Sequence, residues 1–480
     1  MNVQKSLDEI LCRFLSDLKF EDLSKSTLEY TKLLIVDYFA SSVAGFKVNR
    51  RFNDAVFNVI NGMGGTHDST VMCYGNKLPA ANAAFINAAF SHGADMDDGH
   101  RRAGAHPGGP VISSVLAVSE TLPVTGKDVL LAIVCGYEAM IRIAAAVQPE
   151  HVSKGFHSTG TVGVAGAAVA CAKLMGMGYE GILYALSLSL VQSAGLMLVT
   201  QSGQSSKPIN PARAAYTGVL SAQLVSAGAV GPSDPLESKK GFFHAFGENI
   251  KPDEITQDLG RVFQIEGCYI KPYPCCRATH AGADAMLFLR KEIKCSGDVK
   301  KIELYIYPKA IFIAGDKCNH VPYSVESSKF SLAFAIASIL HNGNISVDDI
   351  INFDSTDPEI FETCKKVVLI SDPSTEDVDA GRRGCRLKVI LKDQTVLSKE
   401  IIIPKGDPEF PMTMQDIRNK LAACGNDILS KKKQKTLYQN ICNLETVVSL
   451  DGFMNDTVAD NLVLADFSDG SNNMGSKRRL

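Results

Sequence analysis

The chain has 480 residues, two to three times a typical domain length, so more than one hydrophobic core is expected. Hydrophobic residues make up 45% and charged residues 21%, which argues against wholesale disorder. The net charge of -3 provides no overall field for binding nucleic acid or a membrane surface. The 13 cysteines contain no CxxC pair, and such scattered thiols are typical of a reducing compartment, so we expect a cytoplasmic protein.

The first 265 residues predict a mostly helical domain. Apolar residues at near-helical spacing predict helices at 26–46, 80–90, 127–147 and 160–175. The uncharged stretch 181–200 is long enough to span a bilayer. Its serine and glutamine residues favour a buried core helix instead, and we therefore expect no membrane span.

The pattern changes near residue 265. Alternating apolar residues predict a strand at 301–307, a short strand at 366–370, and two strands joined by a turn within 387–403. A buried helix is predicted at 329–340, and helical patterning returns at 413–450. We therefore predict a mainly α protein. Its large all-helical domain comprises 1–265 and 405–465, a smaller α+β domain at 266–404 is inserted between them, and 466–480 form a disordered tail.

The first polar cluster is SHGADMDDGHRRAGAHPGG, residues 91–109. If the preceding helix continues, His92 and Asp95 lie three residues apart on one face, and Asp97 points elsewhere. Glycine and proline residues predict that the rest is a loop. Three interpretations are open: a solvated acidic turn, a metal site built from histidine and aspartate, or an acid/base site that uses a histidine.

Three further segments carry polar groups. In GFHSTG, His157 precedes a small-residue helix, whose dipole would lower its pKa and whose N–H groups could hold a carboxylate. Lys207 is an isolated cation that either lies in water or anchors an anion. In KPYPCCRATH, nearby cations would lower the pKa of a thiol. A simple helix cap and a buried cysteine pair with surface cations are the structural alternatives to these functional interpretations.

Together the four segments resemble the MmgE/PrpD family. The resemblance rests on HGADMDD with HPGG, GFHSTGTVG, SKP followed by NPARAAYTG, and KPYPCCRATH, in this order, and covers roughly residues 5–450. Family members include 2-methylcitrate dehydratase, cis-aconitate decarboxylase and iminodisuccinate epimerase. The resemblance implies a large helical domain with a smaller α+β lid domain, a homodimer, and a site between the domains that needs no metal or organic cofactor.

The resemblance also implies roles for particular residues. It assigns Asp95, His106 and His157 to the polar pocket, and Lys207 and Lys271 to carboxylate binding. From the chemistry, we expect the catalytic groups to be His106 or His157 on one face and Cys276 or His280 on the other, together with Asp95. Arg277 and His280 are additional candidates for substrate binding. Three features depart from decarboxylases: Cys276 stands where they have histidine, Gly99 stands where they have threonine, and the stretch from Asp98 to His106 is one residue longer.

We therefore predict a cofactor-independent lyase or isomerase that acts on a small di- or tricarboxylate. Its reaction proceeds through proton transfer at a carbon atom next to a carboxylate group. The order of preference is a dehydratase like 2-methylcitrate dehydratase, then an epimerase, then a decarboxylase. A metal-dependent hydrolase built on His92, Asp95, Asp98 and His106 is the alternative from another class. A third hypothesis is a non-catalytic binding protein that retains the pocket.

Overall fold

The computed structural model describes residues 5–200, 205–315, 320–377 and 381–460. Helices cover 57% of the chain, so the prediction of a mainly α protein is confirmed. The predicted tail, 466–480, lies outside the described residues. The longer helices are Leu7–Asp17, Lys25–Val48, Arg50–Gly62, Ala80–Gly93, Gly108–Ser119, Gly126–Ala146, Gly163–Leu174, Tyr179–Leu190, Ile209–Ser226, His280–Leu289, Leu332–Asn342, Pro358–Lys365, Met414–Gly425 and Lys431–Cys442.

Side-chain caps fix where several of these helices begin. Thr125 precedes the helix Gly126–Ala146, and the carboxylate of Asp128 accepts a hydrogen bond from the Thr125 backbone N–H over 2.8 Å. Thr125 Oγ1 in turn accepts a hydrogen bond from the Asp128 N–H over 3.4 Å, so each residue satisfies a backbone N–H group of the other. The same helix is the one in the described chain that is long and apolar enough to cross a membrane, but 94% of its apolar window is buried inside the protein.

Buried side chains form two hydrophobic clusters. The larger cluster gathers residues between 11 and 270, Val347, and residues between 412 and 454. Within it, the helices Lys25–Val48 and Ala80–Gly93 cross in close contact at Gly45. A Cβ atom on Gly45 would lie 1.9 Å from the carbonyl oxygen of Phe90. This close approach fixes the end of the second helix, which carries His92.

The second cluster, between residues 273 and 389, surrounds a four-stranded sheet. Its strands are β1 (Val299–Ile306), β2 (Val367–Ser371), β3 (Cys385–Leu391) and β4 (Val396–Ile401), in the order β4-β3-β1-β2. Strand β3 runs antiparallel to both β4 and β1, and β1 pairs in parallel with β2. The predicted strands are thus confirmed, whereas the domain boundaries and the lid arrangement stay predictions.

The prediction of one buried core helix at 181–200 is wrong in its second half. The helix ends at Leu190, and Gly195 adopts a φ of 142° that a continuous helix does not allow. The residues beyond Leu190 leave the interior, since Leu196 is 55% and Leu198 62% exposed. The small-residue helix is also interrupted, because Ser158–Thr161 and Gly163–Leu174 form two separate segments.

Candidate active site

The loop after the helix Ala80–Gly93 reverses direction within a few residues. The helix ends at Gly93, and Asp95 adopts a φ of 52° in the left-handed region, which aspartate tolerates better than most residues. The chain therefore folds back, and Asp97 Oδ2 accepts a hydrogen bond from His92 Nδ1 over 2.7 Å. The expectation that His92 and Asp95 share a helical face while Asp97 points elsewhere is wrong.

Asp95 brings together the two predicted carboxylate-binding lysines. Its Oδ1 pairs with Lys207 Nζ. Lys271 Nζ lies 2.8 Å from the Asp95 carbonyl oxygen and 3.3 Å from Oδ2. Burial would raise the pKa of Asp95, but the two ammonium groups hold it well below its usual range. One carboxylate thus faces two ammonium groups, and Asp95 by itself neutralises only one of them.

The two predicted catalytic histidines present opposite polarity. His106 Nδ1 donates to the carbonyl oxygen of Asp98 over 2.7 Å, so Nε2 remains an acceptor. His157 Nδ1 accepts from Asn210 Nδ2 over 2.9 Å, so its Nε2 carries the proton. Burial lowers the pKa of His106 to about 3 and that of His157 well below its usual range. Both rings are therefore neutral near pH 7.

Cys276 lies near these groups but differs from its predicted state. Its backbone N–H donates to the Lys329 carbonyl oxygen over 2.8 Å, and its side chain is partly exposed. Burial raises the pKa of the thiol, and Asp95 raises it further, whereas Lys271 lowers it. The expected lowering of a thiol pKa by surrounding cations is therefore wrong, because burial and the nearby carboxylate outweigh the lysine.

Arg277 and His280 have partners within the protein. The Arg277 guanidinium donates to the carbonyl oxygens of Lys405 and Pro404 over 2.9 and 3.1 Å, and it lies 3.0 Å from Asp407 Oδ1. His280 accepts from Arg277 at Nδ1 and donates to the Cys275 carbonyl oxygen at Nε2. Direct substrate contact by these two residues stays a prediction.

Comparison with known proteins adds to this geometry. The model of the MmgE/PrpD N-terminal domain matches residues 9–254, and that of the C-terminal domain matches 273–445. The chain belongs to the MmgE/PrpD family. Members of this family are lyases, such as dehydratases and decarboxylases, or isomerases, so the protein is an enzyme of this kind.

Curated relatives match along nearly the whole chain. A cis-aconitate decarboxylase of Aspergillus terreus is 25% identical over 472 residues, which cover 94% of this chain and 95% of that protein. The cis-aconitate decarboxylase of Mus musculus is 26% identical, with 92% of this chain and 91% of that protein covered. The human cis-aconitate decarboxylase is 25% identical, with 92% of each chain covered.

The four metal ligands predicted for a hydrolase do not form one site, because Asp95 and Asp98 have other partners. The Asp98 side chain accepts from the Gly108 N–H and the Tyr137 hydroxyl over 3.0 and 2.9 Å, and Asp95 faces the lysines. Ligand atoms of His92, Asp97 and His106 do lie within 4.8 Å of one another. The Nδ1 atoms of both histidines donate hydrogen bonds, so these rings could bind a metal only through Nε2. The ammonium groups that lower the pKa of His106 would also repel a metal cation.

Sequence reasoning missed two polar residues of this site. Asn210, which sets the tautomer of His157, lies in the NPARAAYTG segment, but a single amide in a helix carries no signal of its own. Lys329, whose ammonium donates to the Gly93 carbonyl oxygen over 3.0 Å, lies far along the chain in a segment predicted as a buried helix. Only the tertiary contacts identify these two residues as neighbours of the site.

Proposed function

We propose that the protein is a decarboxylase of a small unsaturated tricarboxylate of the cis-aconitate type. The observation that carries this proposal is the pair of lysines, Lys207 and Lys271, held at a single aspartate beside two neutral imidazoles. The full-length similarity to cis-aconitate decarboxylases supports decarboxylation over the other family reactions. This choice differs from the sequence prediction, which placed a dehydratase first.

Carboxylate binding follows from the charge of the site. Lys271 is 1% exposed and Lys207 9% exposed, so a carboxylate that reaches them is largely desolvated, and its attraction to ammonium is stronger than in water. The His157 Nε2–H is available as a further donor. Because these groups are nearly closed off, we propose that the α+β domain moves as a lid to admit the substrate.

The reaction balances without an added reagent. The bond between carbon and the leaving carboxylate breaks, CO2 departs, and the electron pair moves into the conjugated alkene and carboxylate. Lys207 and Lys271 stabilise the charge that gathers on the retained carboxylate. A proton then forms a new C–H bond, so one trianion and one proton give CO2 and a dianion.

His106 is the proposed proton donor. Burial and the two lysines lower the pKa of His106, while Asp97 raises it. A bound tricarboxylate neutralises the lysine charges, which raises this pKa towards the operating pH, and the substrate therefore binds together with a proton. His106 returns to the neutral form after it gives this proton to carbon.

Dehydration is the second candidate, because the site also offers a base and an acid. The free Nε2 of neutral His106 can remove a proton from carbon next to a carboxylate, and the protonated thiol of Cys276 can give one to a departing hydroxyl. The same pair could serve an epimerase. Homodimeric assembly and cytoplasmic location also remain predictions.

Proton NMR in D2O separates these reactions. With cis-aconitate we expect CO2 release and one deuterium in each product molecule. Alkene formation from a citrate-type acid without CO2 would instead support the dehydratase, and deuterium wash-in without net change would support the epimerase. Lys207→Met should abolish turnover. Lys173→Met is the matched control, because within the described chain its ammonium donates to the backbone carbonyl oxygens of Leu15, Ser16 and Leu18.

A further inference from the structure

His92 is a third imidazole next to this site, and its side chain is completely buried. Its Nδ1 donates to Asp97 Oδ2 over 2.7 Å, because a carboxylate oxygen only accepts, and Nε2 is thereby left as an acceptor. No described residue donates a hydrogen bond to Nε2. A buried acceptor without a donor is costly, and phenylalanine could fill the same space without that cost. Packing alone therefore does not account for an imidazole here.

Asp97 lies between two imidazole rings. Its Oδ2 is 2.7 Å from His92 Nδ1 and 3.7 Å from His106 Nδ1. The ring centroids of His92 and His106 are 4.9 Å apart in an edge-to-face arrangement. The other carboxylate oxygen, Oδ1, has no hydrogen-bond partner within the described part of the chain. The hydrogen bond from His92 therefore fixes the orientation of the Asp97 carboxylate.

The groups around His106 shift its pKa in opposite directions. Burial lowers the pKa of His106 most, Lys271, Lys207 and His92 lower it further, and Asp97 raises it. Burial would raise the pKa of Asp97, but His92 and His106 hold it below the usual range, so the carboxylate is ionised. Two ionised carboxylates, Asp95 and Asp97, interact with His106, and Asp97, whose Oδ2 lies 3.7 Å from Nδ1, is the one that raises the pKa of His106 most.

We propose that His92 is a positioning residue that holds the Asp97 carboxylate beside His106, so that Asp97 stabilises the imidazolium that His106 forms during proton transfer. This inference rests on the proposed function, in which His106 gives a proton to carbon. His92 keeps its Nδ1 proton and exchanges none with the substrate. Without the hydrogen bond from His92, the Asp97 carboxylate can rotate away from His106.

Three variants test this role through the pH profile of kcat. His92→Asn keeps an N–H near the position of Nδ1, His92→Phe removes both ring nitrogens, and Asp97→Asn removes the charge. Because the protonated form of His106 is the active one, we expect His92→Phe and Asp97→Asn to move the basic limb of the kcat profile to a pH lower by about 1. KM should change less than kcat, and His92→Asn should stay close to the wild type.

A measurement without turnover separates this inference from the proposed function. The pKa of His106 is read by NMR titration with tricarballylate bound, a saturated tricarboxylate that cannot react in this way. We expect His92→Phe to lower this pKa and His92→Asn to restore it, and His92→Leu gives the same comparison if His92→Phe does not fold. An unchanged pKa in these variants overturns the positioning role. A lowered pKa in an enzyme that decarboxylates nothing overturns only the proposed function.

Discussion

Replacing Lys271 by methionine tests the central feature of the site. The lysine is 1% exposed, and its ammonium contacts both the carbonyl oxygen and the carboxylate of Asp95. Methionine fills a similar space but cannot donate a hydrogen bond or carry charge. The variant therefore removes one of the two proposed carboxylate-binding groups and leaves the shape of the site nearly unchanged.

The structure sets the expected size of both effects. Removing one partner of a buried ion pair typically costs 3–5 kcal/mol, and because Lys207 still pairs with Asp95 we expect the lower end, about 3 kcal/mol in the free energy of unfolding. Removing one group that stabilises charge in the transition state costs roughly 100- to 1000-fold in kcat. We therefore expect kcat for decarboxylation to fall by at least about 100-fold.

A matched control separates stability from chemistry. Arg142 is equally buried, and its guanidinium pairs with Glu138 over 2.8 Å away from the proposed catalytic groups. Urea unfolding and steady-state kinetics on Lys271→Met and Arg142→Met should show that both variants lose stability, while only Lys271→Met loses turnover at a temperature where both are folded. Full turnover by folded Lys271→Met would refute the carboxylate-binding role.

Acid, chelators and a single methyl group probe other parts of the structure. Burial holds the pKa of His106 at about 3 and that of His151 at about 4, so the unfolded chain binds protons first as the pH falls. Below about pH 6.5, each should cost roughly 1.4 kcal/mol of unfolding free energy per pH unit until its folded pKa is reached. Urea unfolding of the wild type and of His151→Phe at pH 7 and pH 5 isolates the contribution of His151, and an equal pH dependence of stability in both would contradict it. Dialysis against EDTA should leave turnover unchanged, since lysine ammonium groups lie beside the one histidine-rich cluster found in the described chain, and metal analysis checks the depletion. Gly45→Ala should lower the free energy of unfolding by about 1–3 kcal/mol, whereas Gly62→Ala, which meets no atom within 4 Å, should not.

Local patterns in the sequence were sufficient for most helices and for the strands of the sheet. The alternation in KIELYIY corresponds to β1, because residues two apart face the same side of a strand and one side is buried. The prediction of a single helix at 181–200 failed because apolar composition does not reveal where a helix ends. The positive φ of Gly195 and the exposure of Leu196 and Leu198 depend on how this segment packs in the tertiary structure, and no local pattern predicts them.

The sequence by itself supplied the family resemblance and the residue types that carboxylate chemistry requires. Only the tertiary structure decided how they act, since Lys207 and Lys271 meet at Asp95 through contacts between segments far apart in the chain. The raised pKa of Cys276 and the opposite tautomers of His106 and His157 also follow from burial and from hydrogen-bond partners that no local pattern reveals. Protonation depends on the three-dimensional surroundings of a group, and the sequence around it gives only its identity.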